Sequence, residues 1–365
     1  MAKMTMVQAI NLALTQEMAK DERVVVLGED VGVNEGVFRV TAGLHKAYGD
    51  ERVIDTPLAE SGILGTAVGM ALAGLRPVAE MQFDGFSYLM WGQLEGHASR
   101  FRARTQGRWT CPLVVRFPYG GGVRALEHHS ESREAMYAQI PGLKVVVPSG
   151  PRNARALLVA AIRDPDAVVF MEPKRSYRAF REEVPEEEEV LELGKANVER
   201  EGSDVTLVSW GATMRAARQA AQDLADARGV SVELVDLLSL APLDKETIRA
   251  SVRKTGRLVV AQEEPRSYGA ASEVIAAVTD DDLASPAIEV RRAASRAVAR
   301  AEDPRQADRL LPLLADSDHE VLSWAAFGLG GTCQANRDRI VRALVARSLS
   351  LALEAPAPPA SLDPW

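Results

Sequence analysis

Apolar residues in the first half of the chain alternate between a helical spacing and short unbroken runs. Ile10, Leu14 and Met18 fall four residues apart, on one face of a helix, and Thr5 is placed to cap that helix. The unbroken runs indicate strands buried on both faces, with helices between them. This alternation predicts a layered α/β domain over residues 1–180. The predicted strands are 24–27, 53–54, 78–81, 113–117, 143–147 and 168–171.

Two boundaries in this domain follow from single residues. The run 113–117 is expected to stop at Pro118, because proline cannot donate to a strand neighbour. Asn153 is expected to open a helix that extends through Ile162.

A run of glutamates separates this domain from a second one. Glu186 to Glu189 follow Pro185, and such a run is more often a solvated linker than a site, which predicts an acidic linker over 181–200. Residues 201–282 then alternate again, which predicts a smaller α/β domain. Its predicted strands are 205–209, 232–237 and 258–261, and its predicted helices are 213–228, 244–254 and 270–278.

Beyond residue 282 the chain is rich in Ala, Arg and Leu and shows no strand pattern. Stretches that begin at Val290 and Val321 superpose, and they resemble HEAT repeats, each a pair of helices. Residues 283–353 are therefore expected to form a short all-α, HEAT-like segment, followed by a Pro-rich tail over 354–365. So few repeats rarely bury enough core to stand alone, so these helices are expected to pack on the α/β domain, to pair with another protein or to stay loosely folded.

Composition excludes several classes of protein. The 365 residues are 47% hydrophobic and 26% charged, as in a folded globular protein, and the net charge of −8 argues against nucleic-acid binding. Cys111 and Cys333 alone can form neither a disulfide framework nor a cysteine-rich zinc site. The apolar runs are too short for a membrane span or a signal peptide, so we expect no membrane association and a cytoplasmic location.

One carboxylate stands where a predicted strand gives way to a helix. Glu60 lies in the segment DTPLAESGILGTAVG, which starts at Asp55 and places three glycines along the helix. On spacing alone Glu60 needs no function, because a helix dipole stabilises a carboxylate at its positive end by ~0.3–1 kcal/mol. The glycines would then only permit close packing.

A second cluster combines glycines with two histidines. The stretch RFPYGGG begins at Arg116, and His128 and His129 follow it. Glycines adopt backbone conformations closed to other residues, which suggests a loop moulded around a ligand. A metal explains the pair poorly, because adjacent side chains in an extended segment point opposite ways. Proton transfer by a histidine and a purely structural role both stay open.

Taken together, these segments resemble a known family. DTPLAESG, GLRPVAEMQF, RFPYGGG, HHSESREA, PGLKVVVPS and FMEPKRSYR occur in this order in the β subunits of thiamine-diphosphate-dependent 2-oxo acid dehydrogenases, which include the pyruvate and branched-chain enzymes. The resemblance covers residues 4 to about 280. It implies two transketolase-like three-layer α/β domains, one that binds the pyrimidine ring of the cofactor and one C-terminal. It also implies oxidative decarboxylation of a 2-oxo acid, with acyl transfer to lipoamide.

The resemblance assigns roles to residues at matching positions. Glu60 matches the glutamate that hydrogen-bonds the aminopyrimidine of thiamine diphosphate and is expected in a dry pocket. His129 matches the catalytic histidine that acts in acyl transfer. Leu58, Gln82 and Phe86 fall where the family lines the pyrimidine pocket. Some members bind potassium at a segment that matches Ala161, Ile162, Asp164 and Asp166.

The phosphate half of the cofactor site has no counterpart in this sequence. Related enzymes hold magnesium and the diphosphate with a Gly-Asp-Gly segment, whereas Gly49 and Asp50 are followed here by Glu51. The resemblance therefore implies an α subunit that holds the magnesium, in a heterotetramer of two α and two β chains. It also implies a lipoylated acyltransferase core as a partner, although the HEAT-like segment replaces the family's docking segment.

Two other functions stay open. The β chain of an acetoin-dehydrogenase-type thiamine enzyme would share the pocket and differ in substrate. An interaction protein that uses the HEAT-like segment would carry the α/β part as a passenger, and the presence of both Glu60 and His129 argues against it. The choice of 2-oxo acid cannot be read from the sequence, because one methylene changes discrimination by only ~1–3 kcal/mol.

Overall fold

The computed structural model describes residues 2–122, 124–282, 288–300, 306–331 and 337–354. The chain divides into two compact units. One comprises the residues up to Ile248 together with Val259–Ser272, and the other comprises Arg249–Leu258 and the described helices from Glu273 onward. No helix in these ranges is both long and apolar enough to cross a membrane.

The first unit is built on a seven-stranded sheet. Neighbouring strands are parallel, except that the edge strand Ser239–Ala241 runs antiparallel to its neighbour. All five residues of Val24–Gly28 are buried, as the unbroken apolar run predicts for a strand covered on both faces. In order across the sheet, the strands are β12 (Ser239–Ala241), β6 (Lys144–Val146), β7 (Val168–Pro173), β5 (Val114–Tyr119), β4 (Arg76–Glu80), β2 (Val24–Gly28) and β3 (Val53–Asp55).

The first helix confirms the capping prediction. Helix α1 (Met6–Lys20) begins after Thr5, whose side-chain oxygen accepts the N–H of Gln8 while the Gln8 side chain accepts the N–H of Thr5 at 3.0 Å. Its buried face includes Ile10, Leu14 and Met18, as predicted, and the helix packs on α7 (Pro151–Arg163). The helices of this domain are α1, α2 (Leu44–Tyr48), α3 (Glu60–Leu72), α4 (Trp91–Gly96), α5 (Phe101–Arg104), α6 (Glu134–Ala138) and α7 (Pro151–Arg163).

Two predicted boundaries are wrong. β5 continues through Pro118, because its pairing with β4 ends at Arg116 and only β7 accompanies it further. The missing N–H of Pro118 therefore leaves no neighbour unpaired on the β4 side. Helix α7 begins at Pro151 rather than at Asn153, whose side chain instead accepts the N–H of Gly150 at 3.0 Å and so caps the helix from within its first turn.

The acidic stretch after residue 180 carries secondary structure. Strand β8 (Glu182–Val184) pairs antiparallel with β1 (Ala2–Met4), and β9 (Asn197–Arg200) belongs to the second sheet. Glu188 pairs with Lys20 and Arg163, and Glu189 pairs with Arg152 at 2.7 Å. The last two charges of the run therefore pair with cations of the first domain.

A four-stranded sheet forms the core of the second α/β domain. β10 and β11 are parallel and β9 is antiparallel to β11, which confirms the three strands expected here and adds one. In order, the strands are β13 (Leu258–Val260), β10 (Val205–Ser209), β11 (Val232–Asp236) and β9. The helices that follow along the chain are α8 (Thr213–Arg228), α9 (Lys245–Thr255) and α10 (Ala271–Asp282).

The described residues beyond 282 form helices and turns. Helices α11 (Ile288–Arg300) and α13 (His319–Gly331) have the same length and begin 31 residues apart, the offset of the predicted superposition. Arg291 pairs with Asp316 at 2.8 Å, and Arg292 pairs with Asp318 at 2.7 Å. Ala294, Val298, Leu310, Val321, Ala325 and Leu329 share one apolar core. The resemblance to HEAT repeats stays a prediction. The helices are α11 (Ile288–Arg300), α12 (Ala307–Leu310), α13 (His319–Gly331) and α14 (Arg337–Glu354).

Candidate active site

Three neighbouring parallel strands bring the predicted residues to one edge of the seven-stranded sheet. β2 is followed by Glu29 and Asp30, β3 by the loop that leads to Glu60, and β4 by the stretch that carries Gln82. The carboxyl ends of parallel strands meet at this edge, which is where open α/β sheets bind ligands.

Glu60 lies at this edge, at the start of a helix. It is the first residue of α3, its side chain is 7% exposed, and it accepts no hydrogen bond from any residue that the structure describes. Burial of a charged carboxylate without a partner costs free energy, so this geometry suits a hydrogen-bond donor supplied by a ligand. Leu58, two residues earlier, is 84% exposed.

Sequence reasoning missed the second carboxylate of this site, Glu29. Both of its side-chain oxygens are buried and lack a hydrogen-bond partner. Burial, with the charges of Glu60 and Asp30, raises the pKa of Glu29 to about 7. Asp30 also accepts a hydrogen bond from the Gln82 amide at 3.3 Å, which ties the β2 and β4 ends together. The available signal was an acidic residue directly after a buried apolar run.

His129 lies in an aromatic pocket beside this edge. Its ring centroid is 4.4 Å from that of Phe83 and 5.3 Å from that of Phe86. Its Nδ1 lies 2.8 Å from the carbonyl oxygen of Glu127, and we assign the proton of the neutral ring to Nδ1 from this contact. Nε2 is then free to accept and return a proton.

His128 makes hydrogen bonds through both its ring and its backbone. Its Nδ1 is hydrogen-bonded to the hydroxyl of Tyr88, and its carbonyl oxygen accepts the N–H of Gly85 at 3.1 Å. A Cβ at Gly85 would lie 2.0 Å from that oxygen, so only glycine allows this approach. The His128 carbonyl thus holds the backbone against Gly85, and the His128 ring lies 6.0 Å from that of Phe86, on which His129 also packs at 5.3 Å.

Contacts within the protein explain why Gly120, Gly121 and Gly122 are glycines. The N–H of Gly121 donates to the carboxylate of Glu263 at 2.7 Å, and a Cβ at Gly120 would lie 3.1 Å from the same carboxylate. A Cβ at Gly122 would lie 2.3 Å from Nε of Arg175. The expectation of a loop moulded around a ligand is therefore not needed to explain these three glycines.

Lys174 is a further residue that the sequence did not single out. Its side chain is 4% exposed, its ammonium donates to the carbonyl oxygen of His129, and it lies 5.6 Å from the ring centroid of Phe83. Burial lowers the pKa of Lys174, whereas the charges of Glu263 and Asp84 act in the opposite direction. Its position directly after β7, on the ligand-binding edge, was the available signal.

The predicted potassium ligands face partners within the protein. The carboxylate of Asp164 accepts two hydrogen bonds from Lys144, at 2.7 and 2.5 Å, and that of Asp166 accepts two from Arg102, at 2.9 Å each. A bound cation would have to compete with these cations. The potassium site stays a prediction. The two carbonyl oxygens accept N–H groups, that of Ile162 from Arg76 at 2.8 Å and that of Ala161 from Asp164 at 3.3 Å.

Comparison with known proteins gives matches over most of the chain. The transketolase pyrimidine-binding domain matches residues 2–179, and the transketolase C-terminal domain matches residues 194–311, past the boundary expected at 282. The pyruvate dehydrogenase E1 component subunit beta of Acholeplasma laidlawii is 54% identical over 280 residues, which are 77% of this chain and 85% of the relative. The subunit of the same name from Bacillus subtilis (strain 168) is 52% identical over 295 residues, 81% of this chain and 90% of the relative.

Among solved structures, a split gene transketolase, an inactive beta4 tetramer, superposes with a TM-score of 0.65 at 23% identity, over 77% of this chain and 86% of that chain. At this identity the likeness concerns the fold alone. With the two domain matches, it confirms the predicted architecture of two transketolase-like α/β domains.

Proposed function

Because the chain belongs to the family of pyruvate dehydrogenase E1 component β subunits, we propose that it is the β chain of a 2-oxo acid dehydrogenase. The reaction is oxidative decarboxylation of pyruvate, with transfer of the acyl group to lipoamide. Glu60 carries the proposal: it is a buried carboxylate without a partner among the described residues, at the start of a helix on the ligand-binding edge. The pyruvate, branched-chain and acetoin enzymes share this feature, so substrate choice needs a separate test.

The residues present fit the pyrimidine half of thiamine diphosphate. Glu60 would hold the aminopyrimidine by a hydrogen bond in which it shares a proton with a ring nitrogen, with Gln82 and Phe86 beside the ring. When bound, the cofactor supplies the electron sink for decarboxylation. The protein's part is to orient the ring, to exclude water from Glu60 and to exchange a proton at the Glu60 carboxylate.

His129 supplies the second proton-transfer group. Its Nδ1 is committed to the Glu127 carbonyl, so proton exchange with the reacting molecule takes place at Nε2. The rings of Phe83 and Phe86 pack against the imidazole in edge-to-face contacts. Lys174 fixes the backbone on which the imidazole is mounted.

An α subunit completes the site in this proposal. Three leucines near the site are exposed: Leu58 by 84%, Leu89 by 58% and Leu126 by 85%. Exposed apolar side chains around a half-built site suit a protein interface. The α chain would hold the magnesium and the diphosphate, in a heterotetramer of two α and two β chains. The lipoylated acyltransferase core as a further partner, the potassium ion and the cytoplasmic location are parts of the same proposal.

The decisive experiment is co-expression with a pyruvate dehydrogenase E1 α subunit from the same organism. The purified complex is assayed for 2-oxo acid-dependent reduction of an artificial electron acceptor, with thiamine diphosphate and magnesium. We expect turnover with pyruvate from the complex and none from the β chain alone. Turnover by the β chain alone would overturn the proposed need for the α subunit, and a stable complex without turnover would overturn the assigned activity.

A substrate panel assigns specificity within the same assay. Pyruvate, 2-oxoisovalerate and acetoin are compared by kcat/KM. A clear preference for acetoin would replace the dehydrogenase assignment by the acetoin-type enzyme. A preference for 2-oxoisovalerate would retain the reaction and change only the substrate.

A further inference from the structure

Two adjacent glutamates of the C-terminal domain reach both ends of the loop that carries the histidines. We define residues 124–133 as the histidine segment. The N–H of Gly121, just before it, donates to Glu263 at 2.7 Å, and the N–H of Ala135, just after it, donates to Glu264 at 2.7 Å. Both glutamates lie in the turn after β13, so one short stretch of the second domain fixes both approaches to the segment.

The middle of the histidine segment is held from another strand end. Lys174, directly after β7, donates its ammonium to the carbonyl oxygen of His129. The carboxylates whose charges act on this ammonium are those of Glu263 and Asp84. Asp84 is itself paired with Arg133 at 3.0 Å, so part of its charge is already balanced. Glu263 therefore contributes to the histidine segment in two ways, at its start and through Lys174.

The fit around Glu263 is close. A Cβ at Gly120 would lie 3.1 Å from one carboxylate oxygen, and a Cβ at Gly121 would lie 3.2 Å from the other. The backbone at Gly120 has a φ of +87°, which glycine adopts without strain. The glycines thus let the backbone approach the carboxylate closely enough for the Gly121 hydrogen bond.

We propose that Glu263 is a positioning residue for His129. Its carboxylate anchors the start of the histidine segment through the Gly121 amide. Its negative charge beside Lys174 favours the ammonium form that holds the His129 carbonyl. The C-terminal domain thereby sets the position of an imidazole in the pyrimidine-binding domain. This inference rests on the proposed function, in which His129 exchanges protons with the reacting molecule.

The test compares Glu263→Gln, Lys174→Met and the double variant in the co-expressed complex. Each single change is expected to lower kcat about tenfold with little change in the KM for the 2-oxo acid, because displacement of a catalytic group slows the chemical step. Since both variants weaken the contacts that position the same histidine segment, their effects on kcat should not add in the double variant. Lys174→Arg, which keeps a cationic donor, should restore part of kcat.

The pH profile separates positioning from general damage to the fold. Loss of the Glu263 charge lowers the pKa of Lys174 further, so the high-pH limb of kcat should move to lower pH in Glu263→Gln. Glu22→Gln, a change at an exposed glutamate, is the matched control and should keep the wild-type profile. The proposal would be overturned if the effects of the two single variants on kcat added in the double variant and the high-pH limb of kcat stayed at its wild-type position in Glu263→Gln.

A readout without turnover keeps this inference separate from the proposed function. Hydrogen–deuterium exchange of residues 124–133 is followed in the full-length chain for wild type, Glu263→Gln and Glu22→Gln. We expect faster exchange only in Glu263→Gln. If exchange is unchanged, positioning by Glu263 is wrong; if exchange rises while the wild-type complex shows no turnover, the fault lies in the assigned activity.

Discussion

Arg116 donates from Nε to a carboxylate oxygen of Glu172 across 2.5 Å, and neither side chain is exposed to solvent. A second guanidinium nitrogen reaches the other oxygen of Glu172 at 2.8 Å, and a third reaches Glu80. The hydroxyl of Tyr177 also donates to Glu172. These charges join three neighbouring strands, β4, β5 and β7, near the carboxyl ends that carry the site.

Removal of the negative charge at Glu172 should destabilise the protein strongly. Glu172→Gln leaves the buried Arg116 guanidinium with an incomplete partner, and loss of one member of a buried pair costs about 3–5 kcal/mol. The measurement is the free energy of unfolding in urea at neutral pH. Glu189→Gln, which breaks an exposed pair with Arg152, is the control and should cost less than about 1 kcal/mol. Equal costs for the two variants would contradict the prediction.

Glu60→Ala should abolish turnover and leave the fold almost unchanged. The Glu60 carboxylate has no partner among the described residues, so its removal leaves no buried donor unpaired. Loss of a proton-transfer group lowers kcat by about 100-fold to 10,000-fold. The assay of the α–β complex is paired with urea unfolding of the same preparation. Near-normal turnover would show that the cofactor assignment is wrong.

The strands were predictable because their signal is local. Residues 24–28 and 168–171 are buried throughout, so the sequence shows the burial as an unbroken apolar run. The position of Glu60 at a helix start could be predicted in the same way, whereas its role followed only from the resemblance of its motif to a known family. The end of β5 was mispredicted at Pro118. A strand accepts a proline where the neighbouring strand no longer pairs with it, and no local sequence pattern shows where that pairing ends.

The residues that support His129 could not be predicted from local patterns. Glu263 meets Gly121 across 142 positions of sequence, and Lys174 meets His129 across 45. Such contacts follow from the packing of one domain on another and from the order of strands in the sheet. A glutamate after a short strand and a lysine in a basic stretch have ordinary surface roles in most proteins.

Glu134 should tolerate an amide but not truncation. Its side chain is fully buried, and burial, followed by the charge of Glu264, raises its pKa to about 8, so the carboxyl is largely protonated at neutral pH. It accepts a hydrogen bond from the indole of Trp210 at 3.3 Å. Glu134→Gln should change the unfolding free energy by less than about 1 kcal/mol, and Glu134→Ala should cost about 2–4 kcal/mol. Urea unfolding at neutral pH checks both, and a larger loss in Glu134→Gln would indicate a charged native carboxylate.

Glu29 should make stability fall as pH rises toward neutrality. Its pKa lies at about 7 in the folded chain against an ordinary value of 4.5, so the folded state binds the proton more tightly than the unfolded state. The stabilisation is complete below the ordinary value and is lost as pH rises through about 7. Glu29→Gln should remove this part of the pH dependence. Unfolding free energies of both proteins across this range check it, and parallel curves would contradict it.

Leu58→Lys should weaken assembly with the α subunit without unfolding the β chain. The side chain is 84% exposed, so a lysine there costs the isolated chain little, whereas burial of its charge in an interface is costly. A hot-spot residue contributes about 2 kcal/mol or more, so the dissociation constant should rise about 30-fold. Leu58→Met, which keeps an apolar side chain of similar volume, is the matched control and should retain assembly. Size-exclusion chromatography with titration of the α subunit measures both, and equal affinities would place Leu58 outside the interface.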